Sequence, residues 1–255
     1  MRRRIVILGI ILFAIFSAIF AITRQNNLSD GDIQVIQGFI EWFGVVYGLL
    51  LAMIIVEVWT KHNHINSEID KEADALYLLL KTAGYSNDKI AYYELIQIIH
   101  NYATFVTSVN NGYDKHKNEV QEHLKELYEG VKRLIKEVDS QAIAYELIHR
   151  VNEVVDARGD WVARTKEHIP RQLWLLLVVA SIVWLVSFLG LKIETFLLSL
   201  AIIGSAVFVV TAILYIAADL DNPKDGLWTP KFDSFEAVLE ETSKLLANRR
   251  DTSSE

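Results

Sequence analysis

The sequence contains no cysteine among its 255 residues. Disulfide frameworks, thiolate metal sites and cysteine nucleophiles are therefore excluded. The motifs of common enzymes are missing as well, since there is no Walker A loop, no Rossmann glycine pattern, no H-E-x-x-H and no G-x-S-x-G. We expect a protein that is not an enzyme, with no catalytic residue, no cofactor and no metal centre.

Proline and glycine are absent from one long stretch of the chain. The chain has only three prolines, and neither proline nor glycine occurs between Gly48 and Gly84. Both residues interrupt helices. The apolar run 35–59 therefore continues without a breaker into the polar stretch 60–80. This pattern predicts one rod that leaves a lipid bilayer and enters the aqueous phase.

Charged residues are segregated along the chain. Residues 59–169 carry 14 Lys/Arg and 18 Asp/Glu, whereas four other stretches are almost purely apolar. This alternation is typical of an integral membrane protein with one sizeable soluble domain. The net charge of −7 and the lack of a basic cluster with interleaved aromatic residues argue against nucleic acid as a partner.

Four apolar segments reach the roughly 20 residues needed to cross a hydrocarbon core of about 30 Å. They are residues 5–23, 36–59, 173–191 and 195–218. The first follows three arginines, so a signal peptide is the alternative. Its apolar core of about 18 residues exceeds the 7–15 of a cleavable signal, which favours a retained helix.

Basic residues at the segment ends predict the orientation. Arg2, Arg3 and Arg4 precede the first segment, Lys61 follows the second, and Arg164 and Arg171 precede the third. Basic residues stay on the cytoplasmic side. We therefore expect a multi-pass plasma-membrane protein with both termini and the 59–172 region in the cytoplasm.

These observations predict an all-α integral membrane protein with four transmembrane helices and a helical cytoplasmic insert between the second and third. The expected parts are 1–58 (membrane helices 1 and 2), 59–170 (cytoplasmic helices), 171–218 (membrane helices 3 and 4) and 219–255 (exit loop and amphipathic helix). Within the insert, apolar residues recur at helical spacing. The predicted helices are 88–109, 119–138 and 140–168, with Ser86 as the cap of the first.

The second apolar segment carries the unusual residues. Glu41 lies near its outer end and Glu57 near its inner end, and Gly44 and Gly48 form a G-x-x-x-G that allows close helix approach. An ionisable group in a membrane segment indicates a functional site. The alternative is that both glutamates lie near enough to an interface to reach water.

Two other clusters suggest ion binding. Asp219, Asp221 and Asp225 follow the fourth segment and resemble a loop for a hard cation. Their spacing fits no EF-hand, so the alternative is an ordinary capped exit loop. His62, His64 and Glu68 lie close together on the polar half of the rod, where they suggest a metal or pH site; the alternative is a solvated polar face.

The order of these parts resembles the bacterial bestrophin-like domain family, over roughly residues 36–240. The resemblance rests on YGLLLAMIIVEVW at 47–59, E-x-D-x-E-A-D-A-L at 68–76, I-P-x-x-L-W at 169–174 and DLDNPKDG at 219–226. That family is similar in turn to the bestrophins, which are pentameric ion channels. The resemblance implies a homo-oligomer in a lipid bilayer that conducts small ions.

In bestrophins the second membrane helix lines a hydrophobic neck, with neck residues at every fourth position. The resemblance implies Tyr47, Leu51 and Ile55 as the neck. Gly44 and Gly48 are small residues at the outer end of the same face, and Glu57 lies below it, so we expect these three to be pore-lining or selectivity residues. The alternative for the neck positions is a helix–helix core face. The sequence differs from bestrophins at Lys224, where a phenylalanine is expected, and at Trp59, which stands alone instead of in a pair.

Two functions follow. The favoured one is a pentameric channel in which an apolar constriction at Leu51 and Ile55 closes the pore by dewetting. Glu57 and the acidic balance of the insert would favour cations. The other is a membrane-anchored scaffold or sensor without conduction, which binds a cytoplasmic partner through the amphipathic helix near the C-terminus.

Overall fold

A computed structural model describes residues 29–109, 116–191, 195–223 and 227–252. All regular structure in these ranges is helical, and three of the helices are long and apolar enough to cross a membrane. The expected first membrane helix at 5–23 lies outside the described residues. The helices are α1 (Asp30–Ala83), α2 (Lys89–Val109), α3 (Lys117–Lys136), α4 (Gln141–Arg164), α5 (Arg171–Ser187), α6 (Phe196–Asp221) and α7 (Ser234–Thr252), with a 3₁₀ turn at Phe188–Gly190.

Helix α1 confirms the predicted rod. Its 54 residues span about 80 Å at 1.5 Å per residue. A reciprocal cap begins it, because the Ser29 Oγ accepts the Asp32 N–H at 3.3 Å while the Asp32 carboxylate accepts the Ser29 N–H at 3.3 Å. At the other end, the amide of Gly84 bonds to the Lys81 carbonyl. The helix ends at Ala83, directly before Gly84, the first glycine after Gly48.

Several helix ends differ from the predicted bounds, three of them informatively. Helix α2 is capped by Asp88 rather than Ser86, since the Asp88 carboxylate accepts the amides of Ile90 at 2.8 Å and Ala91 at 3.2 Å. Helix α4 ends at Arg164, short of the expected 168, in a turn before Pro170. Helix α6 continues past 218 to Asp221.

The chain divides into two compact units. The first, here called the membrane unit, comprises the described residues of Met1–Thr60 and His168–Trp228. Its core joins the first half of α1 to α5 and α6. The buried residues of this core include Leu51, Ile54, Leu177, Leu185, Ile203, Val207 and Ala217.

The second unit, here called the helical unit, comprises the described residues of Lys61–Glu167 and Thr229–Glu255. The predicted apolar stripe of α1 is confirmed, because every member is at most 1% exposed: Ile65, Ile69, Ala73, Leu76 and Leu80. Helix α7 belongs to the same core through Phe235 and Val238, which are 0% and 1% exposed. Its amphipathic face is thus covered by its own unit. The cytoplasmic location of this unit stays a prediction.

Candidate functional site

The residues predicted to form a neck lie on the side of α1 that faces its own unit. Tyr47 and Leu51 are 3% and 7% exposed, and Ile55 is half-buried against the same core. The Ser181 hydroxyl donates to the Leu177 carbonyl at 2.7 Å, so Tyr47 is the donor in its 2.5 Å bond to Ser181. The role of these residues in a neck stays a prediction. The burial of Tyr47 and Leu51 counts against it, because a side chain packed inside its own subunit does not line a pore between subunits.

The opposite side of α1 is apolar and exposed. Val45, Leu49 and Val56 are 72%, 65% and 64% exposed. Each helical residue advances about 100° around the axis, which sets these positions roughly opposite Tyr47 and Leu51. We call the exposed apolar side the free face of α1; its members are Val45, Gly48, Leu49, Ala52 and Val56.

The two glycines of the G-x-x-x-G have different surroundings. A Cβ added at Gly44 would lie 2.9 Å from Nε1 of Trp184, and that indole donates to the Ile40 carbonyl at 3.4 Å. Gly44 therefore allows α5 to approach α1 within the unit. A Cβ added at Gly48 meets no atom within 4 Å in the described part of the chain. Gly48 is thus available for contact outside the unit.

Both glutamates of the apolar half of α1 are exposed. Glu41 lies one turn before Val45, and Glu57 follows Val56 at the end where Thr60 and Lys61 begin the polar half. Neither carboxylate lies on the buried side that Tyr47 and Val58 occupy. Their exposure fits the requirement that a charge in a membrane segment reach water or a polar lumen.

In the predicted cation site, backbone amides donate hydrogen bonds to the aspartate side chains. Asp219 Oδ2 accepts the amides of Leu227 at 2.7 Å and Trp228 at 3.1 Å, and Asp221 Oδ1 accepts the amide of Ile169 at 2.9 Å. Asp225 lies outside the described residues. Within the described ranges no three potential ligands gather in a metal-binding group. These contacts favour the alternative stated above, a capped exit from α6, although Asp219 and Asp221 belong to its last turn and not to a loop.

The histidines on the polar half of α1 do not converge. His62 is buried and His64 is exposed, while Glu68 pairs with Lys71 at 2.7 Å. The Asn66 side-chain oxygen Oδ1 accepts the amide of Lys231 at 3.2 Å, so the Asn66 side-chain nitrogen Nδ2 donates to Nε2 of His62 at 3.1 Å. Burial lowers the pKa of His62. The neutral ring is the form that this contact requires.

A buried polar cluster in the helical unit has no counterpart among the predicted sites. The Glu72 carboxylate, 0% exposed, accepts hydrogen bonds from Tyr102, from Arg158 at 3.2 Å and from Trp161 at 2.7 Å. The Arg158 guanidinium also lies over the Trp161 ring, 4.8 Å from its centroid. The sequence signal is a charged residue within a buried stripe, since Glu72 is spaced as a core position between Ile69 and Leu76. The cluster links α1, α2 and α4.

Comparison with known proteins identifies the family. The sequence profile of the bestrophin-like domain matches residues 5–227. The chain belongs to the bestrophin-like domain family. The membership predicted from the order of its motifs is therefore confirmed. No curated protein matches the sequence.

Solved structures share the fold at low sequence identity. Two crystal structures of single-substitution variants of a bacterial bestrophin homologue from Klebsiella pneumoniae each superpose with a TM-score of 0.73 at 10% identity. One match covers 94% of this chain and 98% of the homologue, and the other covers 95% and 99%. A variant described as a membrane protein gives a TM-score of 0.69 at 11% identity, covering 95% of this chain and 96% of the other. This bestrophin-like chain is thus an all-helical membrane protein with the fold of those homologues.

Proposed function

We propose that this bestrophin-like protein is an ion channel of the plasma membrane, assembled from identical subunits as a pentamer. Membership of the bestrophin-like family and the fold shared with bacterial bestrophin homologues support the proposal. Each subunit would have four membrane helices, the first at 5–23. The helical unit and both termini would lie in the cytoplasm, as the basic residues at the segment ends predict.

The observation that carries the proposal is the free face of α1. It is a continuous apolar strip on the longest helix of the chain, on the side away from α5 and α6. Val45, Leu49 and Val56 recur on it at helical spacing. We infer that this strip, in place of Tyr47, Leu51 and Ile55, surrounds the axis of the assembly. Gly48 would allow neighbouring copies of α1 to pack closely there.

Such a strip would act as a closed gate. An apolar constriction excludes water when it is narrow, and ions do not cross a dewetted segment. Glu57 is exposed at the cytoplasmic end of the strip, and residues 59–169 hold more acidic than basic residues, 18 against 14. A negative potential at that end would raise the local concentration of cations. Cation conduction is the selectivity we propose.

The scaffold alternative is less well supported, because the surface it requires for binding a partner is buried. It used the apolar face of the C-terminal helix, and in the structure Phe235, Val238 and Thr242 of α7 are buried in the helical unit. The Lys81 ammonium also pairs with Glu241 at 2.5 Å, which ties α7 to α1. A partner would have to displace these contacts before it reached the apolar face.

Cysteine cross-linking tests which side of α1 faces the axis. The chain has no native cysteine, so Leu49→Cys and Leu51→Cys each introduce a single thiol. Oxidation of the assembled protein in liposomes is expected to give disulfide-linked dimers from position 49 and not from position 51. Dimers from 51 alone would restore the neck predicted from sequence. Dimers from neither position would contradict an axis lined by this half of α1.

Mass measurement tests the stoichiometry separately. The complex is purified in nanodiscs and weighed by native mass spectrometry, where a pentamer of the 29.1 kDa chain is expected. A monomer would remove the axis altogether and leave the anchored scaffold as the better account. A different closed ring would keep the pore and correct the number of subunits.

A further inference from the structure

Two large apolar side chains are exposed just after the last membrane helix. Leu227 is 72% exposed and Trp228 is 44% exposed, and they follow the end of α6 at Asp221 by a few residues. Exposed apolar side chains that adjoin one another mark a surface for binding a partner or a membrane. The proposed pore does not use these residues.

The backbone that presents them is held by a buried carboxylate. Asp219 is 2% exposed in the last turn of α6, and its Oδ2 accepts the amides of both Leu227 and Trp228. Hydrogen bonds to an ionised acceptor are roughly twice as strong as neutral ones. The exposed pair is therefore in a defined conformation, and its exposure is a property of the fold.

The Trp228 ring also contacts the end of the apolar half of α1. It meets the Trp59 ring edge-on, with centroids 5.4 Å apart and planes at 75°. Trp59 is itself 42% exposed, and Thr60 and Lys61 begin the polar half of α1 directly after it. All three apolar side chains thus lie where apolar sequence gives way to polar sequence.

We propose that Trp59, Leu227 and Trp228 form an anchor that inserts into the bilayer at the boundary between headgroups and acyl chains. Tryptophan is enriched at that depth because its ring is apolar while its N–H bonds to polar groups. Leucine adds apolar area that lipid tails cover. The sequence of α1 becomes polar directly after Trp59, and α6 ends at Asp221, a few residues before Leu227 and Trp228. The three side chains therefore lie where both helices leave the apolar layer, and this depth favours lipid over another protein as their partner.

The role of Asp219 follows from this anchor. Its carboxylate holds the amides of Leu227 and Trp228, and in this conformation the Leu227 side chain is exposed while the Trp228 ring lies against Trp59. The anchor would hold the end of the apolar half of α1 and the end of α6 at a fixed depth in the membrane. Asp219 is a positioning residue here, because the lipid contacts belong to the apolar side chains.

Site-directed spin labelling tests the anchor in the full-length chain. Leu227→Cys supplies the only thiol; it is labelled with a nitroxide, and the protein is placed in phosphatidylcholine and phosphatidylglycerol liposomes. Collisions with oxygen, which prefers the acyl region, and with a water-soluble nickel chelate report depth. References are Phe208→Cys, exposed midway along α6, and Tyr85→Cys, exposed on the turn after α1.

The label at 227 is expected roughly 5–10 Å into the headgroup and acyl boundary, between the two references. Collision rates equal to those at position 85 would place Leu227 in water and overturn the proposal. Low collision rates with both reagents would show that protein, such as a second copy of the chain, covers this surface. That result would also overturn the proposal.

A second variant tests the positioning role. Asp219→Ala in the Leu227→Cys background, with folding checked by circular dichroism, is expected to move the label toward the aqueous value. An unchanged depth would contradict the role of Asp219. If this variant does not fold, the depth of the label in Leu227→Cys alone decides whether the anchor exists.

Discussion

Tyr47 donates its phenolic hydrogen to Ser181, a residue 134 positions further along the chain, and both side chains are buried. The Ser181 hydroxyl in turn donates a hydrogen bond to the Leu177 carbonyl. This chain of two hydrogen bonds joins α1 to α5 within the membrane unit. It also gives the hydroxyl of Tyr47, in the middle of an apolar helix, a hydrogen-bond partner.

Removal of the Tyr47 hydroxyl tests this link. Tyr47→Phe keeps the ring and removes one hydrogen bond, so we expect stability to fall by about 0.5–1.5 kcal/mol. Ser181→Ala and the double variant complete a thermodynamic cycle in detergent denaturation experiments. The two changes should be less than additive. Strict additivity would mean that the hydroxyls do not interact.

The buried pair of Glu72 and Arg158 should be sensitive to substitution. Glu72→Gln removes the carboxylate charge that pairs with the buried Arg158 guanidinium, and removing one partner of a buried pair costs about 3–5 kcal/mol. Thermal unfolding followed by circular dichroism should show a large fall in Tm. The control is Lys244→Ala, which breaks an exposed pair with Glu240 and should leave Tm nearly unchanged.

Gly44 and Gly48 of α1 should respond differently to the same substitution. Gly44→Ala places a methyl group 2.9 Å from the Trp184 ring nitrogen, so we expect a loss of about 1–3 kcal/mol from overpacking. Gly48→Ala meets no atom in the described residues of its own chain and should leave the folded subunit intact. Its effect should instead appear in the mass of the assembly. Equal losses of subunit stability would contradict the different surroundings of the two positions.

His62 predicts a pH dependence of stability. Its pKa is lowered by burial in the folded state, so the unfolded chain binds more protons just below the ordinary value of about 6.5. Stability should therefore fall as the pH drops through and below that value. Tm measured from about pH 8 to about pH 5 should show this slope in the wild type and a weaker one in His62→Gln.

The continuity of α1 could be predicted because helix breakers act locally. The absence of proline and glycine between Gly48 and Gly84 is a sufficient signal that the helix continues from its apolar half into its polar half. The buried side of its polar half was equally predictable, since water separates apolar from polar residues at helical spacing. Ile65, Ile69 and Leu76 are buried for that reason.

The buried side of the apolar half was not predictable in the same way. Lipid is as apolar as leucine, so residues that face lipid, another subunit or their own bundle differ little in type. Leu49 and Leu51 are indistinguishable in the sequence, yet they are 65% and 7% exposed. The pairing of Glu72 with Arg158 could not be predicted either, since the two residues are 86 positions apart in the sequence.

The most direct test of the channel proposal is ion flux through the purified protein in liposomes. We compare the leak of a cation through the wild type, Leu49→Ala and the control Leu175→Ala, a change at a 66% exposed residue of α5. A shorter side chain widens and wets an apolar neck, so Leu49→Ala should raise the leak above that of the wild type while the control does not. If no form of the protein conducts more than protein-free liposomes, the channel proposal is wrong.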